Sequence, residues 1–462
     1  MTVFFTLIVS VILTFILGMI YGVRENAIRL KVKQSADVSM RSSFAEYERI
    51  LWERYNLLFV DIGYGFDVDS FLAIEDHYTE FMNNNFDEMT FRLLGGVDLL
   101  KLDCKETQTQ AVRFATDNNG EAIRKQAIKA MKYKYGVGFI EDFLEHYQSA
   151  RDNNLLDATG NEMAIEAIER LEEESSPVLQ EIEAASREAI FGETNVSTFS
   201  TLKKVVRDIS SISRTTIDVN SLLEKRSINQ GNSEASGESG LTDNLIFYEY
   251  VLTYMGNYVS KKPDTALTYE CEYLIRGKKS DIENLEGVVN RLLLIREASN
   301  LMTLLSDENR MNEIEALATG IAYILQNPEL STVIETVIAS LWSYAESKCD
   351  VSVLLDGGKV PLIKTSSEWK TTMANIFTRR RESEGYEYGM GYRDYLRLFL
   401  YLEGADTVTK RMMNLLELNV RKEQGRKTFN LDNCIDRWKI KAYVSSEYGY
   451  DYIVEREIDL EK

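Results

Sequence analysis

Apolar residues open the chain in one unbroken run. Val3 to Val23 reads VFFTLIVSVILTFILGMIYGV, without a charged side chain. A helix through this stretch would be about 31 Å long, close to the roughly 30 Å hydrocarbon thickness of a bilayer. The pattern predicts a membrane anchor over residues 1–23, built on Val3, Phe4, Phe5, Leu7, Ile8, Val11, Leu13, Phe15, Leu17 and Ile20. A cleaved signal peptide is the rival reading. It calls for a basic leader, a shorter apolar core and a small-x-small cleavage site. No Lys or Arg precedes Val3, and Leu17-Gly18-Met19 is a poor processing site, so an anchor is expected.

Beyond the span the pattern changes but does not stop. Ile28, Val32, Met40, Phe44, Tyr47, Leu51, Tyr55 and Leu58 recur mostly at spacings of three and four, with Lys33, Glu46, Glu48 and Arg49 between them. This amphipathic stripe, free of Pro, predicts a stalk helix over residues 24–60 continuous with the anchor. Phe44, Tyr47, Leu51 and Tyr55 are its candidate residues for lateral packing against partner subunits, with packing on the chain's own body as the alternative.

The remaining elements follow from periodicity and punctuation. Asp61-Ile62-Gly63-Tyr64-Gly65 breaks the helix, and a short helix is expected over about 70–83. Partial alternation across residues 91–116 predicts two strands, and Asp117-Asn118-Asn119-Gly120 a turn into a helix reaching Tyr135. Further helices are expected at Val137–Arg151 and across Glu162–Ile190, the latter interrupted by Pro177. Residues 194–242 lack periodicity around Gly231–Gly240 and read as a flexible linker or insertion. Helical patterns then dominate: Leu245–Tyr258, Ser280–Leu305, Met311–Leu325, Leu330–Ala345 and Tyr392–Leu418. A β-hairpin, Trp438–Ser445 with Tyr450–Ile458, closes the chain.

The fold class is therefore α+β and mainly helical, with a small antiparallel sheet from residues about 91–116 and 438–458. Its parts are an anchor (1–23), a stalk (24–60), an N-terminal part of the body (61–193), the linker (194–242) and a helical C-terminal part (243–462). The linker is expected to interrupt one domain, because strand candidates on either side of it would complete one sheet.

Charge and composition narrow the function. Seventy-three acidic and 53 basic side chains give a formal charge of −20 over 462 residues, with no dense Lys/Arg run. Such a field repels nucleic acid, and none is expected as a partner. The 25 tyrosines suit sheet and helix packing first and a protein-contact surface second. Cys104, Cys271, Cys349 and Cys434 form no CxxC pair. Four buried thiols are the simple reading; Cys104 and Cys434 lie near strand candidates and are the candidate disulfide should those strands pair.

Chemistry-bearing patterns are sparse. With only His77 and His146, a histidine-rich metal site is excluded. His77, among Glu75, Asp76 and Glu80, reads as a surface histidine beside a carboxylate. Asp356-Gly357-Gly358-Lys359 lacks the length and the following Ser/Thr of a phosphate loop and reads as a turn. Glu172, Glu173 and Glu174 point in different directions round a helix, and Gly63 to Gly65 disrupt calcium-loop spacing between Asp61 and Asp69. No enzyme, cofactor, metal or small-molecule substrate is expected.

Three stretches carry a resemblance. They are Thr2-Val3-Phe4-Phe5 with Phe44-Ala45-Glu46-Tyr47 and Leu51-Trp52; Glu272-Tyr273-Leu274-Ile275-Arg276-Gly277-Lys278 through Leu294-Ile295-Arg296-Glu297; and Gly358-Lys359-Val360-Pro361-Leu362 with Asp394-Tyr395-Leu396-Arg397. Together they resemble uncharacterised clostridial and related Firmicute proteins associated with the Tad (tight adherence) pilus system, with an N-terminal helix similar to TadE-like pseudopilins. The resemblance implies a single-pass surface protein with an extracytoplasmic body, and the lipid bilayer and pilus-machinery subunits as partners. It transfers no catalytic residue. Pilin-like precursors usually carry a basic leader and a Glu near the mature start, whereas here the span begins at once and no Glu precedes Glu25. Arg24, Arg29, Lys31, Lys33 and Arg41 favour the cytoplasmic side by the positive-inside rule, against the topology the resemblance implies. A tethered adhesin and a tethered hydrolase are the alternative functions.

Overall fold

The computed structural model describes residues 2–65, 70–87, 100–135, 144–145, 147–149, 151–153, 200–232, 240–373 and 385–461. The helix expected over Glu162–Ile190, the Glu172–Glu174 set and His146 lie outside them. In chain order the elements are α1 (Thr2–Ala45), α2 (Arg49–Tyr55), β1 (Val60–Asp61), α3 (Leu72–Asp87), β2 (Leu102–Phe114), α4 (Asp117–Tyr135) and α5 (Ser200–Val205). Next come α6 (Leu241–Tyr254), α7 (Glu270–Arg276), α8 (Asp281–Leu305), α9 (Glu308–Ile324), α10 (Ser331–Leu355), β3 (Lys359–Val360) and β4 (Met390–Gly391). Last are α11 (Tyr392–Glu403), α12 (Ala405–Arg421), β5 (Cys434–Ser446) and β6 (Tyr450–Asp459). The protein is α+β and mainly helical, as its patterning predicts.

The chain forms two compact units, each assembled from separated segments. One comprises residues 1–130, 221–238 and 413–462; the other comprises 131–220 and 239–412. One domain interrupted by a linker was expected; two units are found, and residues 200–232 are not a flexible linker, while 194–199 and 233–239 lie outside the described residues. Leu202, Val205, Val206, Ile212 and Ile217 are buried in one unit, and Leu222 and Leu223 in the other. Arg226 then grips Glu417 and Asp432 at 2.6 and 2.5 Å. Singly spaced apolar residues escape a periodicity search, yet each is enough to pin a loop to a core.

In the first unit β5 is the centre of the sheet, pairing antiparallel with β2 on one side and with β1 and β6 on the other. Alternation in β5 turns Trp438, Ile440, Ala442 and Val444 into the core, and Arg437, Lys439, Lys441 and Tyr443 toward the more open face. Ile28, Val32, Ala36, Met40 and Phe44 of α1 join that core, as do Ile74, Tyr78, Met82 and Phe86 of α3. Both sets are spaced by about four residues, so each occupies one stripe of its helix. Buried Ser35, Ser39 and Ser43 lie beside the α1 stripe, small enough for close helix approach.

Among the described residues, the free edge of β2 meets side chains and no further strand. Glu75, Thr79 and Asn83, on successive turns of α3, reach Thr109 N (2.7 Å), Thr107 Oγ1 (3.1 Å) and Cys104 N (2.8 Å). Asn232 accepts from Val112 N at 2.9 Å and donates to Gln110 O at 3.0 Å. The Glu75, Asn83 and Asn232 contacts satisfy backbone that would otherwise pair with another chain. Two strands were expected over 91–116; β2 is the single strand among the residues described there.

The sheet also overturns the candidate disulfide. Cys104 faces Val444, while Cys434 stands at the start of β5, opposite Asp61. Ten residues of strand separate Val444 from Cys434, about 33 Å. A disulfide needs Cα atoms within about 7 Å. All four cysteines are free thiols in buried positions.

The second unit is helical. The apolar face of α8, α9 and α10 encloses Leu304, Ile314, Ala318, Ala322, Ile334, Ile338 and Trp342. Ser280 caps α8, accepting from Glu283 N and donating to the Glu283 carboxylate at 2.6 Å. The helix expected over Tyr392–Leu418 is two helices. Gly404, with φ +84, ends α11, and α12 starts at the next residue.

Candidate functional site

The anchor residues lie on the first half of α1. From Phe4 to Val23 every residue but Gly22 is exposed; Phe4, Phe15 and Val11 are about two-thirds exposed, and Ile8, the least exposed of the large apolar residues, 38%. Phe5, Leu7, Leu13, Leu17 and Ile20 share this condition, and Val3 is in the helix but its side chain lies outside the described set. An apolar helix with no protein around it satisfies its backbone internally and leaves its side chains to a nonpolar solvent. Among the described residues, α1 is the one helix long and apolar enough to cross a membrane. One face of this half carries Ser10, Thr14, Gly18 and Gly22 at four-residue spacing. Nothing lies within 4 Å of where a Cβ would stand on either glycine.

The stalk residues meet a different fate. The helix does not run to residue 60: α1 ends at Ala45, and Glu48 caps a new helix by accepting from Ile50 N at 3.2 Å. Glu46 is held by Tyr64 Oη (2.8 Å) and His77 Nδ1 (2.9 Å), which ties the break to α3 and to the Asp61 loop. Phe44 packs near Trp438, with ring centroids 6.5 Å apart. Leu51 is fully buried, and Tyr55 is buried with its hydroxyl accepting from Asn419 at 2.7 Å. Of the four, only Tyr47 is exposed, at 37%. The assignment of this stripe to partner subunits is therefore corrected. Its apolar period is real, and the chain's own sheet and helices consume it.

The sequence reading missed a buried ionic centre in the second unit. Arg296 of α8 is fully enclosed. Its Nε and Nη2 donate to Asp350 Oδ2 at 3.0 and 2.9 Å, and its Nη1 donates to the carbonyls of Pro361 and Leu362, both at 2.8 Å. Lys364 contacts both Glu346 and Asp350, and Glu346 also accepts from Thr371 N and Oγ1. Burial disfavours ionised Asp350, but the Arg296 and Lys364 charges outweigh it and hold its carboxyl below the ordinary value. Every donor direction of the guanidinium is used on protein, so the centre is a clamp that fixes the 361–371 segment to α8 and α10. Leu294–Glu297, Gly358–Leu362 and Asp394–Arg397, quoted above for resemblance, meet at this clamp, where Tyr395 Oη stands 3.3 Å from Arg296.

A second enclosed carboxylate, Glu272, accepts from Tyr392 Oη (2.6 Å) and Tyr258 N (2.8 Å), while its other oxygen has no hydrogen-bond partner. Burial raises it to about 7 in spite of those two donors. Asp61, accepting from Gly63 N and Gly65 N, is likewise raised by burial, to about 6. Among the described residues no group of His, Cys, Asp and Glu is arranged to hold a metal ion. Asp356–Gly358 is a turn, with Gly357 at φ +87.

Fold and site together define a mainly helical α+β protein carrying one N-terminal helix fit to span a membrane. The chain belongs to a family of unknown function (DUF5702), which it matches over residues 180–446, more than half its length. That match takes in the clamp and β5 and leaves out α1. No curated protein and no solved structure matches the chain.

Proposed function

We propose that this is a non-enzymatic single-pass surface protein, a pseudopilin-like or assembly subunit of a Tad-like pilus, with its body on the extracytoplasmic side. The observation that carries the reading is the construction of α1. One unbroken helix is bare and apolar over its first half, and keyed to an antiparallel sheet over its second. Such a rod holds a folded body at a fixed angle while offering its free length to lipid or to equivalent rods. Ser10, Thr14, Gly18 and Gly22 line the face along which neighbouring helices approach most closely, since in lipid, association rests on tight backbone packing. Two of the basic residues that argue for a cytoplasmic body are already engaged by the chain, Arg29 with Glu25 and Arg24 over the Tyr448 ring.

The test is co-purification from native membranes. Gly18→Leu with Gly22→Leu is expected to abolish recovery of pilus-machinery subunits while leaving the body's unfolding temperature unchanged. Undiminished recovery would sink the packing role. Protease cleavage of a C-terminal tag on intact cells tests the topology, and a protected tag would overturn the extracytoplasmic assignment.

A further inference from the structure

The β5–β6 turn stands beside α1 at the point where its bare half ends. Tyr450 packs against Tyr21 with tilted rings, centroids 5.4 Å apart, and Tyr452 stacks on Tyr450 at 6.3 Å. On the other side of the turn, the Arg24 guanidinium lies 4.0 Å above the Tyr448 ring. Tyr21 and Tyr448 remain 59% and 39% exposed, so the row is not a closed internal cluster.

This placement is fixed, not a chance touch of a loose loop. Further along β6, Arg456 donates to Asp37 at 2.5 Å and to the Lys33 carbonyl at 3.1 Å. From Tyr450 to Arg456 the strand advances about 20 Å. From Tyr21 to the Lys33–Asp37 turn the helix advances about 18–24 Å. The two elements therefore run alongside each other, with the hairpin tip level with the last apolar turn of α1. The two residues before β2 brace the tip: Glu447 N donates to Lys101 O at 3.1 Å, and Ser446 Oγ to Leu100 O at 2.7 Å.

We propose that Tyr448, Tyr450 and Tyr452, together with Tyr21, form an aromatic collar seated in the lipid headgroup layer, so that the sheet-bearing unit rests on the bilayer and does not swing from α1. The proposal rests on the reading of α1 as a spanning helix and deepens it by assigning a second contact to the same membrane. Tyrosine suits this layer because its ring is apolar and its hydroxyl seeks water or phosphate. Three nearby cations are paired within the chain, Arg29 with Glu25, Lys101 with Glu447 and Lys105 with Asp103, and so are not set aside for anionic lipid. The collar thus recognises the interface by its amphipathic depth, and zwitterionic lipid is sufficient.

The experiment uses the full chain in phosphatidylcholine vesicles, a fraction of whose lipids carry a headgroup nitroxide. Because all four native cysteines are buried, a dye can be placed on a cysteine introduced by Asp451→Cys at the tip, or by Glu457→Cys about 20 Å along the strand. The expected result is quenching several-fold stronger at 451 than at 457. Replacing Tyr448, Tyr450 and Tyr452 with Ser is expected to bring 451 down to the level of 457, with the protein still floating with the vesicles. Equal, weak quenching at both positions of the unaltered collar, with flotation intact, overturns the collar alone. Loss of flotation of the otherwise wild-type chain overturns the spanning reading and the collar with it.

Discussion

The two halves of α1 are equally helical and both rich in apolar residues, yet only one of them has a protein core. Over residues 4–23 apolar side chains point in every direction and the large ones are all exposed; over 28–44 Ile28, Val32, Ala36, Met40 and Phe44 fall on one stripe and are buried, with Leu30 and Val38 left exposed off it. The difference is angular distribution, not hydrophobicity. A stripe fits one sheet face, with polar residues left for water, whereas a helix apolar all round needs a solvent that is apolar all round. The same chain therefore reads as a soluble core on one side of Arg24 and as a lipid ligand on the other.

Substitutions of matched kind can break or sharpen that contrast. The largest effect is expected from Val32→Lys, which puts an unpaired charge among Trp438, Ile440 and the rest of the sheet core; a loss of about 4 kcal/mol or more should appear in thermal unfolding. Phe44→Ala should cost about 3 kcal/mol in the same measurement, from lost burial and the cavity left beside Trp438. Its counterpart Phe15→Ala should change unfolding by less than about 0.5 kcal/mol, since nothing in the protein encloses Phe15. Comparable losses for both phenylalanines would erase the distinction between the halves. Leu13→Lys should leave unfolding of the body intact while weakening membrane insertion by about 3 kcal/mol, read as a shift into the carbonate-extracted fraction.

A gentler probe is pH, which should be felt by the body alone. Glu272 is raised to about 7 from its unfolded value near 4.5, so the native state binds the extra proton between those limits. Its contribution is complete below pH 4.5 and is lost as pH rises through 7, with a slope of at most about 1.4 kcal/mol per pH unit. Glu272→Gln should flatten that part of the stability profile, and an unchanged slope would remove Glu272 as its source. Vesicle flotation through α1, which titrates nothing between Phe4 and Gly22 in this range, should stay constant across the same window.

Particular residues show how far the sequence could be read. Gly120 and the two asparagines before it adopt positive φ where the turn was expected, and Glu447-Tyr448-Gly449 joins β5 to β6 as predicted. Ser280 caps the strongest helix pattern at its expected start. Each of these is encoded by neighbours within a few positions. Arg296 gave no such signal, because its partners at 350, 361, 362 and 395 are remote in sequence. Cys104 and Cys434 show the converse. Both reach one sheet, but register, which no local pattern states, sets them far apart.

By itself the sequence determined that a helix begins this chain, that its first twenty-odd residues demand an apolar surrounding, and that a one-sided stripe follows. Length and periodicity are properties of contiguous residues, and contiguous residues carry them in full. Only the tertiary structure decided what covers the stripe, where the helix ends, which thiols stay apart, and that three remote segments close on one buried guanidinium. Those outcomes depend on which surfaces meet, and packing chooses between partners that local chemistry leaves equivalent.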